Sequence, residues 1–143
     1  MIDVNILSLT KCVYEAINDM RQRDQNGYVI LLSSIAAYRH KPGSIGNGIY
    51  VATKWAVRSL TESIRRELRS INSNIRISSI SPGNVESEFA YRYLGDSKQA
   101  KEFYSKIENL KPYDIAEIVS FILSTPQHAQ IHDVIVRPTE QDH

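Results

Sequence analysis

Five consecutive residues, Tyr28-Val29-Ile30-Leu31-Leu32, carry apolar surface on both alternating faces and stop abruptly at Ser33-Ser34. A strand with no polar face is out of place at a sheet surface bathed in water. It suits a parallel strand covered by helices on both sides. The flanking sequence agrees. Upstream, Ile6, Leu9, Val13, Ala16, Ile17 and Met20 recur at three- and four-residue spacing, which predicts an amphipathic helix from Val4 to about Arg23, ended by Asn26-Gly27. Downstream, Ile49 to about Ile71 gives the longest helical pattern, broken by Asn72-Ser73-Asn74.

Ile75 to Ile80 reads as a second strand, stopped by Ser81-Pro82-Gly83, and Asp133 to Arg137 as a third. Between them, Pro112 opens a helix running through Leu123, with Asp114 in the favourable charge sense near its start. Ile35 to Gly48 is loop-like, with Pro42-Gly43-Ser44 and Gly46-Asn47-Gly48 as turn formers. The stretch from Asn84 to Lys111 is aromatic and weakly periodic, with short helices expected around Ser97 to Glu108. The order is helix, strand, helix, strand, helix, strand. Such alternation predicts an α/β fold with about three parallel strands flanked by helices. Three strands make a thin sheet, and Tyr28–Leu32 calls for a neighbour on each side.

Composition narrows the function classes. The 143 residues hold 17 Lys and Arg against 16 Asp and Glu, a net charge of +1, which gives no electrostatic case for nucleic acid. One cysteine, Cys12, excludes an internal disulfide and fits a reducing compartment. Its helical setting reads as a buried structural thiol. No apolar run approaches the roughly 18 residues of a membrane span, and Met1-Ile2-Asp3-Val4 leads to Lys11 without a signal-peptide pattern. A cytoplasmic protein is the expectation. His40, His128, His132 and His143 show no metal-ligand spacing, so no metal is expected.

The chemistry is concentrated in Tyr50-Val51-Ala52-Thr53-Lys54. Tyr50 and Lys54 lie one helical turn apart on one face. A free tyrosine, with a pKa of about 10, is a poor acid–base catalyst near neutrality; an adjacent ammonium favours the phenolate and lowers that value. Alone, the pair reads equally as a packing tyrosine beside a surface lysine. Ser34 ends one strand, Pro82-Gly83 ends the next, and Tyr50 opens the helix between them. In an open α/β sheet, ligands bind outside the carboxyl ends of the strands. Ser34 is thereby placed to donate to a carbonyl oxygen, whereas Ser33 should point the other way. Taken singly, Ser34 reads as a turn serine, Pro82-Gly83 as a turn, Ser87 as a helix cap and Asn5 as a polar residue near a helix start.

As an ordered set, these residues resemble the short-chain dehydrogenase/reductase family: a serine after an apolar strand, Tyr-x-x-x-Lys opening a helix, and a strand ending in Pro-Gly. The resemblance covers essentially the whole chain. It extends to the subgroup that contains dehydrogenase/reductase member 11 and the insect farnesol dehydrogenases, through Asn74-Ile75-Arg76, Ser81 through Phe89, and Arg137 through Gln141. The resemblance implies a Rossmann-like three-layer fold and hydride transfer between a nicotinamide and an alcohol or carbonyl carbon. It makes Tyr50 the proton donor or acceptor and Ser34 the group that orients the carbonyl. Lys54 would hold the nicotinamide ribose and depress the tyrosine pKa, and Asn5 would position a water linking Lys54 to solvent. Tyr50, Lys54, Pro82, Gly83, Val85 and Ser87 would bind the cofactor, Val85 through its backbone. NADP(H) is preferred over NAD(H), a small apolar alcohol or carbonyl compound is the substrate, and the complete protein forms a homodimer or homotetramer. The aromatic residues from Phe89 to Tyr104, with Tyr38, would wall the pocket. Arg58, Arg65, Arg66 and Arg69 read as a solvated helix face, and Trp55 as packing at a subunit contact.

The sequence departs from the family at one point. No Gly-x-x-x-Gly-x-Gly loop follows a first strand; Gly43, Gly46 and Gly48 cluster before Tyr50 instead. Residues 1–143 are therefore expected to form the C-terminal catalytic portion of a single domain, without the dinucleotide-binding half. Weak cofactor affinity, little turnover and an aggregation-prone sheet edge follow. The alternatives are a catalytically inactive α/β fragment serving as an interaction module or hetero-oligomer partner, and a nucleotide-binding domain without redox activity.

Overall fold

The computed structural model describes residues 1–39 and 47–142, and in them helices and strands alternate along the chain. A π-helical turn, Asp3–Ser8, runs directly into helix α1, Leu9–Gln22. Strand β1, Tyr28–Leu32, leads to a 3-10 turn, Ile35–Ala37, and then to α2, Gly48–Ser70. Strand β2, Arg76–Pro82, is followed by α3, Glu88–Leu94, α4, Ser97–Tyr104, α5, Pro112–Ser124, and β3, Asp133–Val136. The turn formers Pro42-Gly43-Ser44 and Gly46, with His40 and His143, lie outside the described residues.

The three strands are parallel, in the order β1-β2-β3. Tyr28 pairs with Arg76 and Leu32 with Ile80, while Ser79 pairs with Asp133 and Pro82 with Val136. The α/β architecture is the one that the alternating pattern predicts. β2 lies at the centre, and every residue from Ile77 to Pro82 is buried. Val13 and Ile17 of α1, with Val57, Ile64 and Leu68 of α2, close over Leu31 and Ile77 on one face of the sheet. On the chain after α5, Arg76 fastens the other end. Its guanidinium donates to the carbonyls of Thr125 (3.1 Å), Pro126 (3.1 Å) and Ala129 (2.9 Å) and lies over the Tyr28 ring.

Local chemistry explains the element ends. α1 and α2 both unwind through a left-handed residue, Asp24 (φ 51°) and Asn72 (φ 53°), side chains that tolerate that conformation better than most. Pro112 stands at the first turn of α5, where the Lys111 N–H donates to the Asp114 carboxylate at 2.7 Å.

Several expectations are corrected. The first helix begins as a π-helical turn, and β2 runs through Pro82 instead of ending at Ile80. The loop after Ser34 contains a 3-10 turn, and the weakly periodic stretch contains α3, which the residue pattern does not announce. β1 has one strand neighbour among the described residues, and Leu32 at its end is 57% exposed. Cys12 is exposed, not buried, because it sits on the outer face of α1 away from Val13 and Ile17.

Two consequences for stability follow. Ile77→Ala removes a side chain with no exposed surface, and should cost about 2–5 kcal/mol in denaturant unfolding. Asp133, half-buried beneath the Ser81 hydroxyl (3.3 Å), has its pKa pushed up to about 6, chiefly by burial and against the opposing pull of the Val134 N–H. A raised folded-state value means that this group favours folding fully below pH 4 and loses that contribution as pH rises through 6. Asp133→Asn should therefore raise the melting temperature at pH 7 and leave it unchanged near pH 4.

Candidate active site

The carboxyl ends of β1 and β2 and the first turn of α2 meet at one edge of the sheet. Ser34 leaves β1 in extended conformation (φ −166°, ψ 157°) and caps the 3-10 turn, its Oγ accepting the Ala36 N–H at 3.1 Å. Its hydroxyl proton remains available to donate, and Ser34 lines the same cavity as the Tyr50 phenol, whose pKa it acts to lower. Ser33 turns the opposite way, into the body of α2, where it is buried beside the Lys54 carbonyl. Strand alternation thus separates the two serines as the sequence predicts.

Tyr50 stands where two cavities meet. One, of about 410 Å³, is lined by Ser34, Gly83, Phe89, Tyr93 and Leu94; the other, of about 460 Å³, by Ala36, Val51, Ile107, Glu140 and Gln141. Ile35, Asn47, Tyr50, Asn84 and Phe103 line both. The aromatic residues after Phe89 divide in use. Phe89 and Tyr93 stack with ring centres 5.7 Å apart beside Tyr50, whereas Tyr91 packs against Tyr104 behind the wall. The Tyr93 hydroxyl donates to Asn47 Oδ1, which ties α3 to the start of α2.

Electrostatics at this edge are set by burial. The Tyr50 pKa is raised from its ordinary value, first by desolvation, with Ser34 opposing and the nearby Tyr93 adding a smaller upward push. Burial lowers that of Lys54. The expected depression of the tyrosine by the lysine is absent from this arrangement. Lys54 Nζ donates to the Leu32 carbonyl at 3.2 Å and lies 5.7 Å from the Tyr50 ring centre, so its charge is spent on the backbone and is itself partly desolvated.

Asn5 makes a contact that its position alone did not reveal. Its Nδ2 donates to Thr53 Oγ1 at 3.1 Å, and Thr53 Oγ1 donates in turn to the Tyr50 carbonyl at 2.7 Å. The π-helical turn that carries Asn5 is thereby linked to the backbone beneath both Tyr50 and Lys54; such turns recur at functional sites. Thr53, 1% exposed, is the coupling residue, and reading the sequence for catalytic types passes over it.

After β2, Pro82 occupies the last strand position and Gly83 the turn. The Gly83 N–H donates to the Val136 carbonyl at 2.7 Å. Val85 forms an isolated parallel bridge with Leu110, made by the Glu86 N–H and the Asn84 carbonyl, which turns the Val85 N–H to the open side. Ser87 caps α3, accepting the Phe89 N–H at 3.3 Å. Tyr38 is not in this wall: its ring lies under the Arg58 guanidinium (4.1 Å) and lines a separate cleft with Asp133. Arg65 and Arg66 pair with Glu62 on the solvated side of α2, and Trp55 is 46% exposed. No cluster of metal-ligating side chains exists among the described residues. Asn47, Asn84 and Gln141 line the cavities although their residue types do not mark them as site residues. For Asn84 the available signal is its place next to Pro82-Gly83.

With this geometry in place, the relatives speak to the same edge. The family model described as short chain dehydrogenase matches residues 1–97. The chain belongs to that family. It is 43% identical over 143 residues to human dehydrogenase/reductase SDR family member 11, covering 99% of the chain and 55% of the relative. It is 31% identical to farnesol dehydrogenase of Aedes aegypti, covering 96% of the chain and 53% of the relative. Among solved structures, the closed form of serine dehydrogenase complexed with NADP+ superposes with a TM-score of 0.90 at 28% identity, covering all of this chain and 56% of that one. The chain spans about half the length of the curated relatives it matches. The fold is Rossmann-like, and the oxidoreductase family is that of its relatives.

Thr53→Val keeps the side-chain shape and removes both hydrogen bonds. It should lower stability by about 1–3 kcal/mol in urea unfolding, with Thr53→Ser restoring most of the loss.

Proposed function

We propose that residues 1–143 constitute the C-terminal catalytic portion of an NAD(P)-dependent oxidoreductase, an alcohol dehydrogenase or carbonyl reductase. The observation that carries this reading is that Ser34 and Tyr50 line the same cavity, with Tyr50 at its junction with a second. Two hydroxyls that share one cavity can converge on one substrate oxygen. Ser34 donates to that oxygen and stabilises the charge that develops on it. Tyr50 gives it a proton in reduction and removes one in oxidation. A bound nicotinamide supplies or accepts the hydride at the neighbouring carbon. Lys54 holds the ribose, and Asn5 and Thr53 fix the helix turn that presents Lys54 and Tyr50.

The residues present fit the nicotinamide half of such a cofactor. The Val85 N–H has no partner among the described residues, as a carboxamide oxygen requires, and Pro82, Gly83 and Ser87 shape the turn around it. No glycine-rich cradle for the pyrophosphate occurs in this sequence. The chain by itself therefore binds the dinucleotide weakly and turns over little. NADP(H) is favoured over NAD(H) by the NADP+ held in the serine dehydrogenase structure. The substrate is a small apolar alcohol or carbonyl compound, in keeping with Ile35, Phe89, Leu94 and Phe103 on the walls. A homodimer or homotetramer is supported by exposed apolar residues on the first helical turn, Val4 and Leu7, and on α2, Trp55. A cytoplasmic setting accords with the lone exposed cysteine, and no helix among the described residues is long and apolar enough to cross a membrane.

A second reading, an inactive module that assembles with an intact family member, is favoured by the unpaired outer edge of β1 among the described residues. Mixing the chain with full-length human dehydrogenase/reductase SDR family member 11 and weighing the complex tests it; two separate masses would eliminate it.

Following NADPH oxidation at 340 nm with a ketone panel tests the enzymatic reading. Slow turnover is expected, falling by about 100-fold in Tyr50→Phe. Turnover that is indifferent to this substitution would overturn the assignment, and a micromolar NADPH dissociation constant with rapid turnover would overturn the proposed impairment. The raised phenol pKa gives a pH signature. The phenol keeps its proton across neutral pH, so reduction should be flat from pH 6 to 9, while alcohol oxidation, which needs the phenolate, should rise toward and beyond pH 10.

A further inference from the structure

We infer that Gln141 is a positioning residue for the nicotinamide site: its side-chain carbonyl clamps the Gly83–Asn84 peptide and so leaves the Val85 N–H aimed at the ligand. The inference rests on the reading of Val85 given above and extends it to the Arg137–Gln141 segment, which that reading does not use.

The N–H groups from Gly83 to Glu86 are almost all spoken for. Gly83 donates to the Val136 carbonyl at 2.7 Å, and Glu86 donates to the Leu110 carbonyl at 2.8 Å. Asn84 donates to Gln141 Oε1 at 3.0 Å. Val85 is the exception among the described residues. Two of the three anchors are backbone carbonyls held by a strand or a bridge. The third is a side chain arriving from 57 residues away, and it reaches this point only because the chain folds back on itself. The Gln141 N–H donates to the Pro138 carbonyl at 3.1 Å, making the turn. The Glu140 carboxylate accepts the Glu108 N–H at 3.0 Å, pinning the turn to the segment that carries Leu110.

The glycine is fitted to this strap. A Cβ on Gly83 would lie 2.2 Å from Gln141 Oε1 and 3.1 Å from Arg137 Cγ. The absent side chain therefore admits the protein's own C-terminal segment. It also makes the clamp necessary, because a peptide flanked by glycine rotates cheaply once its acceptor is gone. The Val85 N–H belongs to the next peptide, whose Asn84 carbonyl accepts the Leu110 N–H at 3.1 Å, so rotation of the Gly83–Asn84 peptide reaches it by straining that bridge. Asn84 borders both cavities and Gln141 borders the outer one, so the same strap joins the wall of one cavity to the backbone donor beside the other.

The role is that of an acceptor, which separates two variants of nearly equal size. Gln141→Glu keeps a carboxylate oxygen for the Asn84 N–H; Gln141→Leu has none. Gly83→Ala should displace Oε1 without altering Gln141. The test is amide exchange at Asn84 together with the Val85 amide chemical shift during titration with nicotinamide mononucleotide, in the whole 143-residue chain. Gln141→Leu and Gly83→Ala should speed Asn84 exchange roughly tenfold and weaken the Val85 response by a similar factor, while Gln141→Glu keeps both. Asn84 protection that survives Gln141→Leu overturns the inference. A Val85 response that persists after that protection is lost overturns it as well. If the unaltered chain shows no Val85 response, the nicotinamide reading fails, and with it the ligand half of this inference; the exchange at Asn84 still decides for or against the clamp.

Discussion

The reactive edge of this molecule exists because β2 is buried on both faces along nearly its whole length. Ile77 and Ile80 are inaccessible to solvent, and Ser78, Ser79 and Ser81 beside them are buried and small enough to let layers close on either side. A parallel strand so enclosed delivers the chain to one end of the sheet, where Pro82 forgoes a donor and Gly83 allows the turn. β1, paired in register with it, delivers Ser34 to the same end. α2 covers the sheet with Val57, Ile64 and Leu68, and the length of that contact places its first turn, with Tyr50, over both. Packing decides where the hydroxyls go, and chemistry inherits the result.

The same burial governs charge. For Tyr50 and Asp133 desolvation is the leading influence and drives both pKa values upward; for Lys54 it drives the value down. Each shift favours the neutral form. Glu62 shows the contrasting regime. On the solvated face of α2, hydrogen bonds from Arg65 and Arg66 outweigh desolvation and pull its value down to about 2. Whether a partner or the surroundings wins depends on how much protein surrounds the group, and Tyr50 and Lys54 are partly enclosed.

How much of this was legible follows from what kind of signal each feature leaves. β1 is readable because an unbroken apolar run ending in Ser-Ser has few other uses, and β2 because Ile75, Ile77 and Ile80 lead into a Pro-Gly stop. The convergence of Ser34 and Tyr50 was readable because the carboxyl-edge rule for parallel sheets turns chain order into position. α3 was not, since its seven residues are defined by a Ser87 cap and a left-handed Gly95 at φ 68°, with too few turns to show periodicity. Tyr38 lies in a different cleft because folding brings Arg58 over its ring, a contact across 20 residues that local sequence does not encode. The link from Asn5 to Thr53 spans 48 residues, and the sign of the Tyr50 shift depends on where the Lys54 ammonium ends up. Both are properties of packing at a distance.

The seat of that ammonium has a consequence at the margin of the sheet. The Ser33 N–H points toward β2, bonding the Ile80 carbonyl, so the Leu32 carbonyl of the same peptide faces outward along the open flank of β1. Lys54 Nζ caps it. A cation parked on the last outward acceptor is what natural sheets use to discourage a stray strand from docking. One side chain thus caps the last carbonyl on that side of β1 and stands beside the phenol, so the backbone end of the strand and the Tyr50 ring are tied to the same ammonium.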